Sequence, residues 1–240
     1  MPVYLCRYSS HQRFPGDGWL ALLGGGEFSF GETEAADRAW LERAGEGPVG
    51  FLPAASGSTE YGEYFADYLD EVFDRELEII PVYRTRDARR RRNRSRVLDS
   101  AAVYLGGGVA DQLLEAVAQS AVEEALQEVV ARGGVVAANA AAAQACGEWA
   151  RGLRGEPLKG LGWLPGGVLD TNFDPGHDRR LRQLMTQPGV RWGVGLPAGS
   201  ALLLGPDGAV EIVGSILTLS DADSDFELLG EGVAPPPLAS

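Results

Sequence analysis

Five short, mainly apolar runs, four of them closed by glycine or other small residues and each followed by helix-forming text, restrict this chain most. The runs cover residues 19–23, 49–52, 77–82, 101–105 and 135–138. At four to six residues they are too short for helices and have the length of strands buried on both faces. Three of them end in Gly24-Gly25-Gly26, Pro53-Ala54-Ala55-Ser56 and Gly106-Gly107-Gly108. Helical text follows at 32–44, anchored by Trp40 and Leu41, at 109–132 with a break near Gln119-Ser120, and at 140–149. In the stretch capped by Thr59, residues Tyr61, Tyr64, Phe65, Tyr68, Leu69, Val72 and Phe73 recur at helical spacing, as core or groove lining. Strand and helix in alternation predict an α/β three-layer sandwich, with a mostly parallel central sheet and helices on both faces.

From residue 160 the pattern changes. Short runs at 162–164, 168–169, 192–195, 201–204, 209–213 and 216–219 are separated by turn residues such as Pro206-Asp207-Gly208. They read as antiparallel strands that finish the sheet or form a small lobe, with one helix near 177–186. Residues 1–18 read as an irregular leader with one short strand at 3–8, and residues 230–240 as a loose tail with three consecutive prolines. No linker divides the chain, so residues 1–240 are expected to form a single α/β domain.

Composition narrows the function. A formal net charge of −13 disfavours nucleic acid and anionic membranes as partners. Lys159 is the only lysine, and the arginine-rich block at 84–96 reads as a solvated face, with an anion-binding patch as the alternative. Cys6 and Cys146 lack metal-ligand spacing, and the only histidines are His11 and His177. A zinc site or disulfide framework is therefore not expected, and a reducing cytoplasm is. No apolar run is long enough to span a membrane, and no signal peptide is read at the N-terminus. No cofactor is expected either: Ser29 takes the place of the third glycine in a dinucleotide fingerprint, and the sole lysine precedes Gly160 instead of Ser or Thr. Glu27, Glu32 and Glu34 form only a weak carboxylate cluster for a metal.

The stretch from Gly133 to Ala143 is written like the strand-to-helix elbow of a serine hydrolase, where small neighbours let the backbone bend around a nucleophile. Ala140 stands in the nucleophile's place, and no serine or threonine occurs between Ser120 and Thr171. Ligands of open parallel sheets bind at the carboxyl ends of the strands. Gly107, Gly108, Asp111, Gln112, Asn139 and Ala140 are accordingly the candidate ligand-binding residues here, and backbone N–H groups of the glycine turns are candidate anion donors. An aspartate such as Asp111 in a first helical turn is also an ordinary cap.

Several of these segments, in this order, resemble the peptidase E and cyanophycinase family of serine peptidases, whose fold is like that of the class I glutamine amidotransferases. They are Gly107-Gly108, Asp111-Gln112, Gly133-Gly134-Val135-Val136 and the turn Ala138-Asn139-Ala140-Ala141-Ala142-Ala143. Leu164-Pro165-Gly166 followed by Asp170-Thr171-Asn172-Phe173 resembles the family's histidine segment, and Arg179-Arg180-Leu181-Arg182 its arginine-rich helix. The run from Gly193 to Leu202 is similar to a family segment that carries the acidic partner. The resemblance covers roughly residues 19–219 and implies a flavodoxin- or glutamine amidotransferase-like fold.

The same resemblance places the nucleophile at Ala140, the general base at Asn172 and the acid at Ala198. A methyl cannot attack a carbonyl, and an amide cannot take up the proton. This implies a pseudoenzyme: a non-catalytic homologue with a pocket for a peptide or amino-acid-derived ligand (Asn172 joining the candidates above), or a subunit in a homodimer or in a pair with an active paralogue. The alternative is a hydrolase with rearranged residues such as Cys146 and His177.

Overall fold

The computed structural model describes residues 16–230. Cys6, His11, the strand expected at 3–8 and the tail beyond residue 230 lie outside that range. A seven-stranded sheet has the order β11-β10-β1-β5-β4-β2-β3. Its strands are β1 (Trp19–Leu23), β2 (Val49–Leu52), β3 (Leu77–Ile79), β4 (Ala102–Leu105), β5 (Val135–Asn139), β10 (Ala201–Leu204) and β11 (Val210–Val213). The first five pair in parallel, and β10 and β11 close one edge antiparallel.

The period of two along each strand sends its side chains into two separate cores. Ala21, Leu23, Phe51, Tyr104 and Ala137 pack against α1 (Glu34–Leu41) and α2 (Thr59–Phe73) on one face. Leu20, Leu22, Leu52, Val103, Leu105, Val136 and Ala138 pack on the other, against α5 (Ala110–Val117), α6 (Ala121–Ala131) and α7 (Ala141–Ala145). The α/β class, the mostly parallel principal sheet and the helices on both faces are as the strand–helix alternation implies.

The C-terminal third builds a second, six-stranded sheet in the order β13-β12-β9-β8-β6-β7. Its strands are β6 (Trp149–Arg151), β7 (Pro157–Lys159), β8 (Gly167–Thr171), β9 (Trp192–Leu196), β12 (Ser215–Leu219) and β13 (Glu227–Gly230). The expected antiparallel strands are present as β10 and β11 at the edge of the first sheet and as β9, β12 and β13 here, and only β8 departs from the pattern, pairing in parallel with both β6 and β9. Its outer face carries α8 (Arg179–Met185), which buries Leu181, Leu184 and Met185.

Four further expectations are corrected. The helix read over 140–149 ends at Ala145, and Trp149 starts a strand. A methyl at Gly147 would lie 3.0–3.2 Å from three backbone carbonyl oxygens, so the chain turns at a close backbone approach that glycine eases. Residues 162–164 form no strand, because the N–H groups of Trp163 and Leu164 both donate to the Cys146 carbonyl and fold the segment onto the α7 end. The third strand stops at Ile79, and the first helix is shortened to 34–41 behind a 3-10 turn at Phe28–Phe30.

The arginine block forms α3 (Thr85–Ala88) and α4 (Arg91–Asp99). Its ion pairs run from Arg90 to Asp87, Arg94 to Glu128 and Arg96 to Glu78, which is the solvated-face arrangement. Among the described residues no helix is long and apolar enough to cross a membrane.

Candidate functional site

At the carboxyl end of β5 the chain turns into α7 through Ala140, whose φ of 50° and ψ of −116° lie outside the regions alanine prefers. Such a conformation costs on the order of 1–3 kcal/mol and persists only where its surroundings enforce it. Here the Ala140 N–H donates to the Leu23 carbonyl at 3.0 Å, and the Gln144 N–H donates to the Ala140 carbonyl at 3.1 Å. This is the sharp strand–turn–helix geometry of a nucleophile elbow, with no side chain beyond Cβ.

Three successive carbonyls at the end of β1 gather the loops that carry the three positions singled out by resemblance. Leu23 accepts from Ala140, Gly24 accepts from Asn172 at 2.6 Å, and Gly25 accepts from Gly199 at 2.8 Å, the residue after Ala198. Asn172 sits in the left-handed region at φ 46°, which asparagine tolerates better than most residues. Gly25 has φ 95°, and a methyl there would come within 2.7 Å of the Asn172 amide. Glycine at 25 thus lets the Asn172 side chain lie against the backbone of the β1 turn. Ala198 is exposed on its turn. Behind the assembly, Gln144 donates from α7 to the Thr171 hydroxyl at 2.7 Å. The neighbouring Asp170 is buried, paired with Arg180 at 3.2 Å, and held above the usual carboxylate range by that burial.

The remaining candidates divide. A Cβ at Gly107 would lie 3.5 Å from that of Ala140, so this glycine faces the elbow. Gly108 presses on the turn after β2, where a methyl would lie 2.3 Å from the Ala55 carbonyl oxygen. The N–H groups of Gly107, Gly108 and Ala141 donate to no protein acceptor among the described residues. Asn139 is buried against Tyr61, with Nδ2 3.5 Å from the phenol oxygen, and its Oδ1 is buried without a partner. Asp111 instead accepts the Leu153 N–H at 2.9 Å and pins a distant turn. Gln112 is exposed over a separate cleft of about 710 Å³ that it shares with Arg84 and Arg86.

Cys146 and His177 are not brought together. Burial drives the Cys146 thiol far above its ordinary range, and its Sγ donates to the Ala142 carbonyl. His177 is exposed and bonded to Asp174, and no hydrogen bond links it to Cys146 among the described residues. No group of three or more His, Cys, Asp or Glu is arranged to hold a metal ion there either. Glu32 accepts the Glu27 N–H, while Glu34 pairs with Arg38.

Sequence reasoning missed the role of the β1 end. Gly24-Gly25-Gly26 stands out in the sequence as a source of N–H donors, but its carbonyls, together with that of Leu23, do the joining. The Gln144–Thr171 contact had no signal at all. Chemically, the assembly offers backbone donors fit for a carboxylate or carbonyl oxygen, beside a methyl and an amide that can neither attack nor abstract a proton.

The model of peptidase family S51 matches residues 20–212. A crystal structure of a peptidase from an acI-B1 Actinobacterium is similar, with a TM-score of 0.70 and 21% identity over 92% of this chain and 98% of that one. So is a protein named as a candidate peptidase E from Listeria monocytogenes EGD-e, with a TM-score of 0.59 and 14% identity over 82% and 98%. No curated protein matches the chain significantly.

Proposed function

The chain belongs to peptidase family S51, and we propose that within it this protein binds a peptide or amino-acid-derived ligand at the elbow without cleaving it. The observation that carries the reading is the strained Ala140 backbone beside the unused N–H groups of Gly107, Gly108 and Ala141. Those donors suit a ligand carboxylate or carbonyl oxygen, and the unpartnered Asn139 Oδ1 suits a ligand N–H. Acyl transfer needs a nucleophile and a base acting as a unit, and positions 140, 172 and 198 supply neither. A buried, protonated Cys146 that shares no hydrogen bond with exposed His177 gives the rearranged-hydrolase alternative no support. The same reading sets the protein in a reducing cytoplasm, as a homodimer or paired with an active relative.

Thermal-shift titration with amino acids and dipeptides tests binding. A native-state ligand at a hundredfold excess over Kd raises stability by about 2.7 kcal/mol. Absence of any shift at millimolar concentration overturns the binding role. Aspartyl dipeptides should be hydrolysed no faster than in buffer by the wild type or by Ala140→Ser. Turnover that survives repurification and vanishes on Gly107→Val would overturn the non-catalytic role.

A further inference from the structure

A second hollow runs along α2 and includes Tyr61, whose phenol meets Asn139 at the elbow. It is a cleft of about 670 Å³ between the 3-10 turn at Phe28–Phe30 and the helix. Helical spacing puts Tyr61, Tyr64 and Tyr68 along one wall. Phe28 also lines it from the 3-10 turn and packs directly on that wall, edge-on to Tyr61 at 5.8 Å and tilted against Tyr68 at 5.2 Å. Burial holds the Tyr61 and Tyr68 phenols above their ordinary range, so both rings are neutral. Carboxylates of Glu27, Asp67 and Glu71 stand at its edge and make no ion pair among the described residues. The fourth lining carboxylate, Glu34, is paired with Arg38. No lining residue is cationic.

The rim supplies a second, independent observation. Tyr64 is 60% exposed and Val72 41%. Two of the five large hydrophobics exposed among the described residues therefore line this one cleft. An apolar patch bounded by polar groups marks a place that something covers. The occupant must bring apolar surface for the rings and positive charge for the carboxylates. Ring faces are the negative end of the aromatic quadrupole, so they favour a cation directly. A bare metal ion is excluded by geometry, since the carboxylates do not converge into a ligand set.

We propose that this cleft binds an organic cation, a guanidinium or substituted ammonium on an apolar stem, laid against the exposed Tyr64 ring at the edge of the Phe28, Tyr61 and Tyr68 cluster and under the Glu27, Asp67 and Glu71 carboxylates. The site stands whether or not the elbow holds a ligand, because the two share only Tyr61. Free small cations and the side chains of a basic peptide have this chemistry in common.

Calorimetric titration of the full chain tests it, using N-acetyl-arginine methylamide, benzyltrimethylammonium and the uncharged citrulline analogue. Both cations should bind at submillimolar concentration, and the citrulline analogue at least tenfold more weakly. Asp67→Asn and Glu71→Gln should each weaken the cations about two- to fivefold. Tyr64→Ala should weaken them about three- to fivefold, and the remote Asp207→Asn should leave them unchanged. A tri-arginine peptide binding tenfold more tightly than the single residue assigns the occupant to a polypeptide, and equal affinities assign it to a free cation. The proposal is overturned by equal binding of the citrulline analogue, by no binding at millimolar concentration, or by cation affinities that the three cleft variants leave unchanged. It is also overturned if sedimentation shows a dimer that Tyr64→Ala dissociates, since a second copy then covers the cleft.

Discussion

The elbow and the α2 cleft meet at Tyr61 and are built in opposite ways. The elbow is made of backbone: consecutive carbonyls of Leu23, Gly24 and Gly25 hold three loops, and the side chains at the centre are reduced to methyls and an amide. The cleft is made of side chains: rings and carboxylates projected from a regular helix onto an unremarkable turn. Backbone geometry of this kind is held by the surrounding fold whatever side chain it carries. Side-chain chemistry on a solvent face is under no such constraint, since little of the core rests on it.

That contrast can be broken by four measurements. The largest effect is expected from Gly108→Ala beside the elbow, where φ is 147° and the new methyl would meet rigid backbone at Ala55. A loss of about 4 kcal/mol in denaturant unfolding is expected, and a loss below about 1 kcal/mol would show that the loop yields.

Next comes Asp37, fully buried beneath the cleft, which accepts hydrogen bonds from Thr33, Trp40 and the Tyr68 phenol. Burial pushes its carboxyl from 3.8 up to about 6, and the three hydrogen bonds oppose the shift. A carboxyl raised in the folded state favours folding when protonated. Its contribution is therefore complete below about pH 4 and is lost as pH rises through about 6. Between pH 8 and pH 4 the wild type should gain about 3 kcal/mol relative to Asp37→Asn. Parallel pH profiles for the two proteins would refute the buried, protonatable carboxyl.

Ala140→Gly should stabilise the protein by about 0.5–1 kcal/mol, because glycine removes the positive-φ penalty and returns part of that gain as unfolded-chain entropy. A net loss would mean the elbow is relaxed. The smallest effect belongs to Tyr64→Ala, expected within about 0.5 kcal/mol of wild type in thermal unfolding, since that ring is mostly in solvent. A larger change would make the cleft wall part of the core.

Much of the principal sheet could be read directly. Runs such as 19–23 and 49–52 coincide with β1 and β2, because a strand buried on both faces must be apolar throughout. Half of the second sheet was hidden. Runs 168–169, 192–195 and 216–219 fall in β8, β9 and β12, but three-residue strands such as β6 and β7 carry no period, and the helix spelled by the alanines after Ala140 ends at Ala145, before β6 begins. At the candidate site, the turn at Ala140 announced itself through its small neighbours. The aromatics of α2 were legible as core or groove lining, but not as one wall of a charged cleft, since the Phe28 that packs on them comes from another segment.

The amino-acid order alone determined the alternation of strand and helix, the family and the absence of a hydroxyl or imidazole at positions 140 and 172, because these are properties of local pattern and of single residues. Only the folded chain decided that Ala140, Asn172 and the Ala198 turn hang from neighbouring carbonyls, and that rings and carboxylates far apart in the chain share one hollow. Hydrogen-bond partners and cavity walls are set by where separate segments meet in space, and no local pattern encodes that meeting.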